Sequence, residues 1–179
     1  MAHTIALPQK GIILVVSKSE QYHKRNIELI KTILRVRKKE CIYISLNRPS
    51  GVIFEDLTNA GVDLSHIFIV DCATRLASDE TERAGNVIFV DSPSNLTEMG
   101  TVLESAFRSI HTVGSFLFLD SLSTLLLYNN AKSAETFIHF LTLVVRTHHM
   151  AGVIVSLEDK NIQSTIDQIS QFCDSTIEL

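Results

Sequence analysis

Phe116-Leu117-Phe118-Leu119-Asp120-Ser121-Leu122-Ser123 opens with four consecutive large apolar side chains and stops on an aspartate. In an extended chain successive side chains point to opposite faces, so a run without polar alternation is apolar on both. Such a strand has to be covered on both sides. That is the situation in a parallel sheet wrapped by helices, not in an antiparallel sheet with one wet face. Residues 12–16, 41–46, 67–71, 87–91, 153–157 and 176–179 form further short, β-branched runs, most of them apolar on both faces. Between them the period changes. Ala134, Phe137, Ile138, Leu141, Val144, Val145 and His148 recur at helical spacing, as do Ile27, Ile30, Ile33, Leu34 and Arg37 with one polar break. Weaker helical stretches cover residues 52–60, 96–110 and 162–172, with Gly61 and Gly114 as turns beyond helix ends. The expected fold is α/β: one parallel-dominated sheet, helices on both faces, and the 116–120 strand at its centre.

The 179 residues, 45% of them hydrophobic, suit one domain spanning 1–179 with a single sizeable core. A net charge of −4 argues against a nucleic-acid partner, which needs a surplus of lysine and arginine. The basic run at residues 35–39 falls at an expected helix end, where cations are favoured by the helix dipole. Cys41, Cys72 and Cys173 are far apart and lie in or beside apolar stretches, as reduced, buried thiols do. No apolar run approaches the roughly 20 residues of a membrane span, and no signal segment is evident. A cytoplasmic protein is the expectation.

Strand-end aspartates draw attention because ligands of open α/β sheets bind beyond the carboxyl ends of the strands. Asp71, Asp91 and Asp120 all hold that position. Capping or turn formation accounts for Asp71 and Asp91, while the segment around Asp120 also has the form of a Walker B strand, whose aspartate orients the magnesium water shell in P-loop proteins. A phosphate loop would then be due after the first strand. The residues there are Lys18-Ser19-Glu20-Gln21-Tyr22-His23-Lys24-Arg25, and none is glycine. Phosphate loops use glycines so that successive N–H groups converge on the phosphates. Forcing ordinary residues into left-handed backbone costs roughly 1–2 kcal/mol each, and Tyr22 and His23 would fill the space of a phosphate. The loop is expected to be disabled.

Five segments in order, residues 11–17 with the altered loop, Tyr43-Ile44-Ser45-Leu46, Asp120-Ser121-Leu122-Ser123, residues 152–158 and residues 172–179, together resemble the KaiC-like branch of the RecA-superfamily ATPases. The resemblance is strongest to archaeal members described as inactivated. It implies a RecA-like P-loop NTPase core and a role in signal transduction. It also implies glycine at the positions of Lys18 and His23, lysine at Lys24, and threonine or serine at Arg25. Lys24, Arg25, Asp120 and Ser121 are then the vestigial nucleotide-binding positions. The glutamate pair that polarises the attacking water is replaced by Asn47 and Arg48, which with Pro49 form a strand-end turn. Neither can accept a proton at neutral pH, and a positioned base is worth 10²- to 10⁴-fold in rate.

Two functions compete on these grounds. One is a catalytically inactive regulatory or protein-interaction module that needs no cofactor. The other is an unconventional ATPase binding ATP and magnesium weakly through Lys24, Arg25 and Asp120, with Glu158 or another acid as base. A phosphoacceptor receiver fits poorly, because acids should follow the first strand where Ser17 and Lys18 stand. Protein partners or self-association are expected. Monomer or dimer is favoured over a hexamer, since rings of this class clamp nucleotide between subunits. His148 and His149 are adjacent and diverge on a helix, a poor metal pair. The polar stretch from Cys72 to Asn86, with Arg75, Asp79, Glu80, Glu82 and Arg83, reads as a surface excursion able to carry recognition.

Overall fold

The structure is a computed structural model that describes residues 10–18, 20, 22–37, 39–78, 85–110 and 114–179. Seven strands form one sheet: β1 (Gly11–Ser17), β2 (Cys41–Ser45), β3 (Ile67–Asp71), β4 (Val87–Phe89), β5 (Phe116–Asp120), β6 (Ala151–Leu157) and β7 (Ser175–Glu178). Among the described residues six helices accompany them: α1 (Tyr22–Arg37), α2 (Ser50–Asn59), α3 (Leu96–Ser109), α4 (Leu122–Tyr128), α5 (Ala131–Thr147) and α6 (Gln163–Ser170). The strand order is β4-β3-β2-β5-β6-β1-β7, and every pairing is parallel. β5 is the middle strand, as its two apolar faces require.

The two-residue period of each strand divides the core into two layers. Ile13, Val15, Tyr43, Ile69, Phe118 and Val153 face Ile30, Ile33, Ile53 and Leu57 of α1 and α2. Leu14, Ile44, Val70, Leu119 and Ile154 face the other way, onto Leu103, Leu125, Leu141 and Ile166 of α3 to α6. No strand residue from Phe116 to Asp120 is exposed.

Several boundaries differ from the sequence reading, each for a local reason. α1 begins at Tyr22, so the second half of the altered loop is helical; without glycines nothing interrupts the helix before that point. The apolar run Leu125-Leu126-Leu127 conceals α4, because a continuous run carries no helical period. β4 stops at Phe89, two residues before Asp91. Gly61 does turn the chain after α2, at φ 75°. Cys41 and Cys72 are buried free thiols, whereas Cys173 is only half-buried. Of the polar stretch from Cys72 to Asn86, Thr74–Leu76 form a single 3-10 turn, and Asp79, Glu80, Glu82 and Arg83 lie outside the described residues. Among the described residues no helix is long and apolar enough to cross a membrane.

Candidate functional site

The carboxyl ends of β2, β5, β6 and β1 lie side by side, and the chain enters α1, α2 and α4 from that edge. Asp120 sits at its centre, 1% exposed. In a parallel register Tyr43 lies beside Phe118, two residues before the Ser45–Asp120 pair, so all four project to the α1/α2 face. The Tyr43 ring stacks on Phe118 with centroids 5.3 Å apart and leans along the strand, bringing its hydroxyl to donate to Asp120 Oδ2 at 2.6 Å. Tyr22 reaches the same carboxylate from the first turn of α1, where long side chains point back toward the helix N-terminus. Its hydroxyl donates to Asp120 Oδ1 at 2.5 Å. Both carboxylate oxygens therefore accept short O–H···O bonds from buried phenols, among the stronger hydrogen bonds available to a side chain.

Burial pushes the Tyr22 and Tyr43 hydroxyls far above the ordinary tyrosine range, and the neighbouring Asp120 charge adds to the shift. Both phenols remain donors across the physiological range. A folded-state pKa raised above the unfolded value means stability that is present below about pH 10 and lost as pH rises further. Tyr22→Phe, which strands one oxygen of Asp120, is expected to cost about 1.5–3 kcal/mol at neutral pH and to flatten the alkaline loss. Urea unfolding at pH 7 and at pH values above 10 checks both. A variant as stable as the parent at neutral pH shows that the Tyr22 bond holds nothing.

The other residues singled out in the sequence are placed as follows. Ser121 follows Asp120 through a cis peptide and caps α4, its hydroxyl accepting from Thr124 N at 3.2 Å. Arg25 folds back toward β1, with Nη1 3.4 Å from Ser17 Oγ. Lys24 is exposed and opens onto a depression of about 450 Å³ between α1 and α2, shared with Lys31 and Asp56. Asn47 is exposed, and Arg48 pairs with Asp56 of α2 at 2.6 Å while its carbonyl accepts from Ser45 Oγ. The structure thus brings Asp120 and Ser121 together with Tyr22 and Tyr43, but directs Lys24 and Arg48 to the α1/α2 surface.

Asp71 has the capping role expected of it, in a wider form. α2 begins after Pro49, whose side chain offers no cap. The fully buried Asp71 carboxylate supplies one from the next strand, accepting from Ser50 N at 2.6 Å, and it also accepts from Ala73 N, Thr74 N and Thr74 Oγ1. Burial alone would raise its pKa; the Thr74 and Ser50 donors outweigh that and hold it below the usual carboxylate value. Asp91 lies on the surface, paired with Arg75 at 2.7 Å. His148 stacks on Phe107, and among the described residues no group of histidine, cysteine and acid side chains is arranged to hold a metal.

Sequence reasoning missed Tyr43 and Asn26. A tyrosine inside a strand apolar on both faces is itself a signal, since a buried phenol needs a partner at its tip. Asn26, one turn after Tyr22, is buried with its amide nitrogen unpartnered among the described residues.

Among the described residues a seven-stranded parallel sheet, with a tyrosine-held aspartate at the end of its central strand, defines a layered α/β domain. The chain belongs to a family described as "Family of unknown function (DUF7504)", whose model matches residues 30–179 and so includes Tyr43, Asp71 and Asp120 but not Tyr22. Among solved structures it is similar to the uncharacterized protein PH0321 from Pyrococcus horikoshii, in complex with an unknown peptide, with a TM-score of 0.71 at 13% identity over 94% of this chain and 77% of that one. At that identity the likeness speaks for the fold alone. No curated protein matches the chain.

Proposed function

We propose that this chain is a KaiC-like, RecA-type domain that has lost nucleotide hydrolysis and works as a regulatory module binding another protein. The observation that carries the reading is the occupation of both Asp120 oxygens by Tyr22 and Tyr43. In a hydrolysing relative that carboxylate must face the magnesium water shell; here a side chain from the altered loop takes the place. The helical start at Tyr22 supports the same reading, because the residues that would wrap the phosphates are wound into the first turn of α1, which brings the Tyr22 hydroxyl onto Asp120. Arg48, at one position implied for an activating acid, is tied to Asp56. The peptide in the PH0321 structure supports a polypeptide ligand, and signal transduction is the setting that the KaiC-like resemblance implies.

The purified chain is expected to release no phosphate from ATP or GTP above the buffer blank, and calorimetry with ATP and magnesium is expected to show no micromolar binding. Turnover that disappears in Asp120→Ala would overturn the reading in favour of an unconventional ATPase. Light scattering after chromatography is expected to give a monomer or dimer, and a nucleotide-independent hexamer would contradict that.

A further inference from the structure

The two edges of the sheet differ. β4 is three residues long with Val87 and Phe89 buried, whereas β7 exposes Ser175, Thr176 and Glu178 and covers only Ile177 in part. Among the described residues no strand lies beyond β7, so one row of its backbone N–H and C=O groups faces outward. Natural edges are commonly blunted by lysine or proline, and Ser175-Thr176-Ile177-Glu178 contains neither.

Beside this edge, between α6 and the sheet, runs a groove of about 580 Å³. Val16, Ile166 and Leu179 give it apolar walls, and Glu158, Asp167 and Glu178 give it charge, with Lys18 the one cation among the described residues of its lining. Glu158 and Glu178 are exposed and make no side-chain hydrogen bond or ion pair among the described residues. Between Glu158 and Leu179 five carboxylates stand against the single Lys160, and of these Asp174 is paired with Arg146 outside the groove.

We propose that the β7 edge and the α6 groove form one docking surface for an extended, basic segment of a partner protein, which adds to the sheet as a further strand. Main-chain bonds to a free edge supply affinity without regard to sequence, and alternate side chains supply selectivity. Thr176 and Glu178 lie on one face of β7, two residues apart, beside Leu14 and Val16 of the α6 side. Side chains directly across a strand pair stand about 4.5–5.5 Å apart. A lysine or arginine opposite Glu178 would lay its stem along Thr176 and its charge toward Asp167, while an acidic segment would meet uncompensated repulsion. The proposal rests on the protein-binding reading above and adds to it the place and the chemistry of the partner.

The test uses the whole chain and a fluorescein-labelled nonapeptide of alternating valine with lysine or threonine, read by anisotropy. Three comparisons accompany it: the same peptide with glutamate for lysine, a version with proline at its central valine, and the chain variant Glu178→Lys, with melting curves confirming that the variant folds. Binding of the basic peptide is expected, weakened at least tenfold by each change, about 1.4 kcal/mol or more. Asp167→Lys is expected to act in the same direction, and it lies on α6, away from the strand itself. Equal affinity for the acidic peptide, or indifference to both variants, overturns the proposal. So does a dimer of the chain that Glu178→Lys disperses, since a second copy is then the occupant. Absence of peptide binding in a chain that also leaves ATP untouched overturns this surface alone; ATP turnover overturns the reading of the chain as an inactive module.

Discussion

Phe118→Ala is expected to destabilise the domain by about 3–5 kcal/mol, the range for truncating a fully buried aromatic side chain. Phe118 is buried in the central strand, with neighbouring strands on both sides and the α1/α2 layer above it. No rearrangement of one helix can refill the space. The ring is also what Tyr43 stacks on, so the substitution should loosen the phenol that holds Asp120 Oδ2. Phe118→Leu, which keeps most of the volume, is expected to cost less than about 1.5 kcal/mol. Urea unfolding of the two variants measures both. A midpoint for Phe118→Ala close to that of the parent would show that β5 is not the packing centre.

Asp71→Ala is expected to cost about 3–5 kcal/mol at neutral pH, because hydrogen bonds to a charged group are worth about 1.5–3 kcal/mol each and buried donors left without an acceptor add a further penalty. Four donors lose their acceptor at once, among them the first N–H of α2. Water entering the gap would recover part of the loss, which keeps the figure below the sum of the four. The pH profile separates a charge effect from a packing effect. Asp71 has a folded-state pKa below its unfolded value of about 3.9. Its contribution is present above that value and disappears as pH falls through the folded pKa. The stability gap between the parent and Asp71→Asn is therefore expected to narrow below about pH 4. A gap unchanged between neutral pH and pH 2 would show that the carboxylate charge contributes nothing.

The α/β class, the two-faced burial of the inner strands and the central place of residues 116–120 were legible in the sequence, because these follow from the period of apolar residues along the chain; the exposure of three of the four β7 residues was not. The sequence also determined that the loop after the first strand lacks glycine, since a missing residue type is visible without coordinates. Helix ends were legible where a local signal exists, as at Gly61 after α2. They were hidden where the apolar run is continuous, as in α4. The fate of Asp120 is set by contacts distant in the chain. Its partners lie 98 and 77 positions away along the chain, and no short-range pattern records that β2 and β5 are neighbours while α1 begins just where Tyr22 can reach between them. The cap that Asp71 gives to α2 is of the same kind, set by two adjacent strands in register. Sequence periodicity encodes which face of an element is buried; strand order and register decide which buried polar groups meet.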